Sequence, residues 1–233
     1  MSKPRVTTRT TSRCPENITP LLDTNNSRFW VYPNFTADIY PILKKQLARA
    51  ERKIRIEPPI RTYGKDGVQH RNILFLSDES KGYMYSGQLM PSEPLDTIPI
   101  AKKFLLAVND FFNTDFNGIL INIYIDGTKY IGAHSDDESA LDPETNLVLG
   151  IVYGPATRPF RLREKQSGSI VRFSSKLCEE CGVAISQKKE YLARSRDLIA
   201  MEGDFQKHFK HEVPADKSIL EERISLTLRR HLE

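Results

Sequence analysis

The sequence predicts an α+β fold, with two helices leading into a run of strands that closes as an antiparallel barrel or sandwich. Three observations carry this. Ile39, Ile42, Leu43 and Leu47 recur at helical spacing up to about Arg52. A second helix is expected over about Ile98 to Phe112, with Phe104, Val108 and Phe111 on one face. From Gly118 onward the segments "GILINIYI", "LVLGIVYG", "PFRLR", "SIVRF", "EYLA", "DLIAMEG" and "RISLTLRR" are short, spaced strands.

Taken in chain order, residues 1–20 form a first region. Lys3, Arg5, Arg9 and Arg13 stand there among Ser and Thr with too little apolar surface to pack, which predicts a disordered basic tail. Order is expected from about Arg28, where "RFWVYPNF" is aromatic and strand-like, and one domain is expected over residues 28–233. Between Ile54 and Gly87 the pattern breaks at Pro58, Pro59, Gly64, Gly67 and Gly82, as strands joined by turns would.

Composition narrows the function classes. The chain has 233 residues with 34 Lys+Arg, 30 Asp+Glu and a net charge of +4, which permits nucleic-acid contact without demanding it. No run of about 18 apolar residues is present, so no transmembrane helix is expected. The first residues lack the apolar stretch of a cleaved secretory signal. Cys14, Cys178 and Cys181 are too few for a disulfide framework, which favours a reducing compartment.

Three patterns could carry chemistry. In His134-Ser135-Asp136, residues i and i+2 of an extended segment point to one side, so an imidazole and a carboxylate can meet at one metal. Taken alone, the pair also fits a surface histidine beside acids. A third ligand must come from His70, His208, His211 or His231, and His208 and His211 lie together in "HFKHEVP". In the last strand Arg223, Ser225, Thr227 and Arg229 alternate with Ile224, Leu226 and Leu228. Strict alternation assigns the two sets to opposite faces. The polar face is either solvated or turned inward, where two guanidiniums would require an anion such as a dicarboxylate. Asn122 and Tyr124 repeat the arrangement, opposite Ile121, Ile123 and Ile125.

Read in order, Asn122-x-Tyr124, His134-Ser-Asp-Asp-Glu138, "GPATRPFRLR", "AMEGDFQKHFKHEVP" and "RISLTLRR" resemble the AlkB family of Fe(II)/2-oxoglutarate-dependent dioxygenases over roughly residues 54–230. The resemblance implies a double-stranded β-helix (jelly-roll) core over about 118–230, flanking N-terminal helices, and a nucleotide-recognition lid over about 54–90. It implies iron ligands at His134, Asp136 and His211, with His208 left to packing. It assigns Asn122, Tyr124, Arg223, Thr227 and Arg229 to 2-oxoglutarate. Ser225 stands where the family commonly has Asn, and Leu228 where it has Phe.

The implied activity is oxidative demethylation of N-alkylated bases such as 1-methyladenine and 3-methylcytosine in DNA or RNA. It consumes 2-oxoglutarate and O2 and releases succinate, CO2 and formaldehyde. Tyr63, Tyr83 and Tyr85 fall in the lid-like segments "RTYG" and "YMYSG", and Asp137 and Glu138 follow the metal carboxylate, Glu138 being the acid that would face a cationic base. Arg158, Arg161 and Arg163 are candidates to contact phosphates or line the pocket, the alternative being a solvated strand end. Ile54 or Ile56 is the nearest match to the apolar finger of the duplex-repairing members, and Cys178 and Cys181 sit in a long stretch read as an extended hairpin or loop. A monomer acting on alkylated nucleic acid inside the cell, nuclear or cytoplasmic and away from membranes, is the resulting expectation. The alternatives are a protein or RNA-modification demethylase or hydroxylase of the same class, and a noncatalytic nucleic-acid-binding module.

Overall fold

The computed structural model describes residues 12–62, 64–85, 88–138, 140–142, 145–173, 185–186 and 189–232. Cys178, Cys181 and Tyr63 lie outside these residues, as do residues 1–11 of the expected tail. Residues 12–20 are not a free tail. The Ser12 hydroxyl and the Arg13 backbone N–H both donate to the Glu202 carboxylate, and Cys14 and Ile18 pack against the core.

Among the described residues, two antiparallel sheets face each other. The larger has seven strands in the order β1 (Leu22–Thr24), β2 (Ser27–Tyr32), β14 (Leu198–Gly203), β10 (Leu147–Tyr153), β16 (Arg223–Arg229), β8 (Gly118–Tyr124) and β5 (Asn72–Leu76). The smaller has five: β12 (Ile185–Ser186), β13 (Glu190–Ala193), β11 (Arg158–Glu164), β15 (Phe209–Val213) and β9 (Ile131–His134). Two hairpins complete the strands, β3 (Pro59–Thr62) with β4 (Lys65–Val68) and β6 (Gly82–Tyr85) with β7 (Gln88–Pro91). This is the expected jelly-roll plan, and one predicted strand is missing from it: "SIVRF" contributes only a single bridge, Ile170 to Arg163.

Apolar surface separates into three layers. Phe29, Val148, Val152 and Ile199 on the large sheet meet Phe160, Leu162, Tyr191 and Phe209 on the small one, with Phe29 stacked on Phe160 at 5.8 Å between centroids. The opposite face of the large sheet, including Ile121, Ile224, Leu226 and Leu228, is covered by α1 (Tyr40–Arg49) and α2 (Pro99–Phe112). A third cluster joins Ile73, Phe75 and Leu120 to Tyr83 and Met90 of the hairpin β6–β7.

Both helices begin with proline in their first turn, where a missing N–H costs nothing. Helix α2 stops at Asn113, whose left-handed φ of 49° lets its N–H bond back to Asn109. The buried faces differ from the predicted ones by a small rotation. In α2 the covered set is Ala101, Phe104, Leu105, Val108 and Phe112, while Phe111 is 58% exposed. In α1 Leu43 and Leu47 are buried and Ile42 is exposed. Four apolar residues per two turns leave several stripes open to choice, and the curved sheet picks one.

Phe104→Ala should therefore lower stability by about 3–5 kcal/mol. Phe111→Ala, which removes only edge contacts with Phe35 and Phe112, should cost about 1 kcal/mol or less. Urea unfolding of the two variants checks the difference; equal losses would contradict the assignment.

Candidate active site

Strand register brings the chemical groups together. Strands β9 and β15 pair with His134 directly opposite His211, so the two imidazoles lie on one face with centroids 4.2 Å apart. Asp136 follows β9 two residues on. Its Oδ1 is 3.6 Å from His134 Nε2 and its Oδ2 is 3.7 Å from His211 Nε2, and one ligand atom from each of the three residues lies within 4.8 Å of the others.

The donors suit a divalent metal. His134 Nδ1 sits 2.9 Å from the Gly132 carbonyl, and if that nitrogen carries the proton, Nε2 offers its lone pair to the centre. Burial lowers the pKa of both histidines to about 3, helped for His134 by its neighbour His211 and for His211 by Arg229 and Arg71. Both rings are thus neutral ligands near neutral pH. Asp136 is 4% exposed, and its Oδ2 has no hydrogen-bond partner. The other oxygen accepts from Arg229 Nη2 at 2.5 Å. Two imidazoles and one carboxylate form the set that leaves positions open on iron. His208 is elsewhere: it is exposed, with Nδ1 3.0 Å from the Ser27 hydroxyl.

Across the cavity, the alternating strand turns its polar face inward. Register sets Arg223 opposite Tyr124, Ser225 opposite Asn122 and Thr227 opposite Leu120, so the polar residues of β16 and β8 form one surface. Asn122, Tyr124, Arg223, Ser225, Thr227 and Arg229 all line the cavity that holds the three metal-type ligands. Arg223 is buried, with its guanidinium 5.2 Å from the Tyr124 ring and Nη1 donating to Ser225 Oγ at 3.3 Å. Among the described residues no carboxylate pairs with it, its Nε is unpartnered, and burial pulls its pKa down. A buried cation in that state requires an anion. Gly150, opposite Thr227 on β10, lines the same cavity, and a Cβ there would meet nothing within 4 Å. The residues present therefore fit both a divalent metal and a small dicarboxylate beside it.

Arg229 is differently placed. It pairs with Asp136 and stands 3.7 Å from Glu138 Oε2; burial works against its charge, and Asp136, Tyr83 and Glu138 together outweigh burial and raise its pKa. At the rim, the Tyr83 hydroxyl donates to Glu138 Oε1 at 2.9 Å, leaving Oε2 buried and without a hydrogen bond. Burial, reinforced by Asp136, raises the Glu138 pKa against the pull of Arg229. Tyr83 and Tyr85 stack at 5.9 Å, and the Tyr85 ring meets His134 edge-on at 6.3 Å.

Several expectations need correction. Asp137 is exposed and paired with Lys165 at 2.9 Å; neither it nor Glu138 lines this cavity, and both line the pocket beside it that Asp136 and Arg229 also border. Arg158 is fully buried and donates to the carbonyls of Asp126, Lys129 and Pro214, which makes it a brace for loops rather than a phosphate contact. Arg161 pairs with Glu190 and Arg163 with Glu212. Ile54 packs on the core, whereas Ile56 is exposed. Sequence reading missed Arg71, a buried guanidinium whose Nε donates to Asn122 Oδ1 at 2.7 Å and whose Cζ lies 5.4 Å from the Tyr85 ring centroid. Its signal was available: Arg71 shares the period-two face of Ile73 and Phe75. Gly150 gave no signal of its own.

A model of the 2OG-Fe(II) oxygenase superfamily matches residues 31–229. The chain is 30% identical over 173 residues to the DNA oxidative demethylase ALKBH2 of Homo sapiens, covering 74% of this chain and 61% of that protein. It is 26% identical over 147 residues to the alpha-ketoglutarate-dependent dioxygenase alkB homolog 3 of Rattus norvegicus, covering 63% and 46%. The chain thus spans less than two thirds of the length of these relatives. A solved structure described as "The structure of OsALKBH1" has a TM-score of 0.48 at 17% identity, covering 87% of this chain and 97% of that one.

Calorimetric titration with Mn(II), a redox-inert stand-in for Fe(II), checks the metal assignment. His211→Ala and Asp136→Ala should each weaken binding more than the tenfold to hundredfold typical of losing an outer partner. His208→Ala should match the unmutated protein, and an equal loss there would reopen the choice of third ligand.

Proposed function

The chain belongs to the 2OG-Fe(II) oxygenase superfamily, and from that premise we propose that it demethylates N-alkylated nucleobases in DNA or RNA. Fe(II) with 2-oxoglutarate and O2 supplies the oxidising power for hydroxylating a C–H bond, the cosubstrate leaving as succinate and CO2. Within this reading His134, Asp136 and His211 hold the iron. Arg223 pairs with the far carboxylate of the dicarboxylate, Asn122, Tyr124 and Thr227 orient it, and Gly150 leaves the space it occupies. Arg229 holds Asp136 in place and contributes positive charge to the same cavity.

The observation that carries the choice of substrate is the rim. Glu138 presents a buried carboxylate oxygen with no hydrogen bond, and its other oxygen is fixed by Tyr83. Burial disfavours the charge on that carboxylate, and a cationic ring beside it restores the balance. Methylation at N1 of adenine or N3 of cytosine creates such a ring. Tyr85 places an aromatic ring beside His134, a candidate stacking partner for a base lifted from its stack. Tyr63 is retained as a candidate contact on its sequence context. The names of the relatives support action on nucleic acid, which in turn supports an intracellular site, nuclear or cytoplasmic. Among the described residues no helix is long and apolar enough to cross a membrane.

The test is a panel of 1-methyladenine and 3-methylcytosine oligonucleotides, DNA and RNA, single- and double-stranded, incubated with Fe(II) and 2-oxoglutarate. A mass loss of about 14 Da, one methylene, with matching formaldehyde is expected, and its absence across the whole panel would sink the proposal. Glu138→Gln should lower kcat/KM on the cationic lesions by roughly tenfold to hundredfold, the worth of a charge-assisted contact. In a separate measurement, Arg223→Met should weaken 2-oxoglutarate binding by about a hundredfold while leaving Mn(II) affinity within about twofold. Equal affinity for 2-oxoglutarate would remove Arg223 from the site.

A further inference from the structure

A groove of about 330 Å³ runs beside the active site, between the hairpin β3–β4 with the residues that follow it and the approach to β9. It shares Arg71 and Ile131 with the metal-bearing cavity, so the two adjoin. Tyr85 lines the groove and touches His134, which places its inner end at the rim of the catalytic centre. Its volume falls within the range of ligand pockets.

The groove wall contains a side chain that the active site does not use. Gln69 is 2% exposed, and its backbone is pinned by a 2.8 Å bond to the Pro58 carbonyl. Neither amide atom of its side chain has a hydrogen-bond partner. A carboxamide brings two donors and an acceptor, and buried ones are almost always satisfied. Next to Gln69, His70 stacks on Tyr130 with centroids 4.5 Å apart and planes 15° from parallel. His70 is exposed, so the pair presents an open aromatic face. The local charge is positive. Lys65 is exposed and Arg71 is carboxylate-free among the described residues, whereas the acid in the wall, Asp66, lies 3.7 Å from Arg61.

We propose that this groove is a subsite for the nucleotide adjacent to the target base, with Gln69 reading the base and the His70–Tyr130 pair stacking on it. The inference rests on the nucleobase reading above. A carboxamide offers a donor and an acceptor side by side, the complement of the N6 amino group and N7 of adenine. Both amide atoms are covered in this structure, so the Gln69 side chain must turn into the groove to read that edge, and adenine is then the preferred neighbour. Stacking on His70 is indifferent to base identity. The exposed Lys65 neutralises a flanking phosphate, which positions the strand without reading it.

The test uses the full chain with Mn(II) and 2-oxoglutarate and measures equilibrium binding of unmodified single-stranded oligonucleotides. The probes are homopolymers of each base, plus sequences with one central pyrimidine flanked on either side by adenine, cytosine or thymine. The protein should bind adenine-flanked probes roughly tenfold more tightly than thymine-flanked ones, the discrimination of one bidentate contact. Gln69→Met, which keeps the volume, should bring that ratio to about one. Gln69→Glu, an acceptor only, should shift the preference to cytosine, whose N4 amino group it can accept from; this second variant decides the matter if the first fails to fold. Tyr130→Ala should weaken all probes about equally. No neighbour preference in the unmutated protein, or a preference unchanged in both Gln69 variants, overturns the proposal. Binding without catalysis separates its failure from that of the demethylase reading: loss of activity on methylated panels with neighbour preference intact would refute the chemistry and leave the groove.

Discussion

Asp136 is a carboxylate almost wholly withdrawn from water, and the arrangement of both sheets answers to it. A buried charge of this kind costs several kcal/mol unless it is paired and hydrogen-bonded. The answer comes from two directions. Arg229, the last residue of β16 in the large sheet, takes one oxygen, and the imidazoles of β9 and β15 in the small sheet stand against both. The ion pair therefore joins the layers at the point where they must stay a fixed distance apart. With the second oxygen left free, the geometry that stabilises the carboxylate also aims it at a metal.

Four of the buried guanidiniums show how one residue type is put to four uses. Arg158 is satisfied by three backbone carbonyls and holds loops together. Arg229 is satisfied by an acid. Arg71 is bound to a side-chain amide and set near an aromatic face. Arg223 has only a serine hydroxyl and the face of Tyr124, and neither supplies the anion that a buried guanidinium needs. Net charge conceals this, because most of these cations never face the solvent.

What could be read in the sequence was what local alternation encodes. The inward face of β16 follows from seven residues whose period leaves no ambiguity, and the pairing of His134 with Asp136 follows from a spacing of two. Alternation does not say which residue a side chain will meet. Arg158 therefore passed for a phosphate ligand, and Asp137, which pairs with Lys165, could not be told from Glu138, which accepts from Tyr83. The third histidine could not be chosen by spacing alone, since His208 and His211 are a helical turn apart in sequence. Only the strand pairing of β15 with β9 separates them, and the resemblance, not the local pattern, had favoured His211. Gly150, Arg71 and Gln69 matter through what surrounds them, and surroundings are tertiary information.

The central strand β16 carries cavity-lining polar residues on odd positions and the helix-covered core on even ones, and it is hydrogen-bonded on both sides, to β8 and β10. Its chemistry is thus written in parity. Deleting one residue from the middle of the strand would not merely shorten it; it would carry a guanidinium into the layer beneath the helices and a leucine toward the metal, with every backbone bond to its neighbours still available. Apolar-for-apolar changes at its even positions leave that parity intact, whereas changes of length do not. Over evolutionary time such a strand is expected to stay constant in count, while length variation is pushed into the connections at its ends.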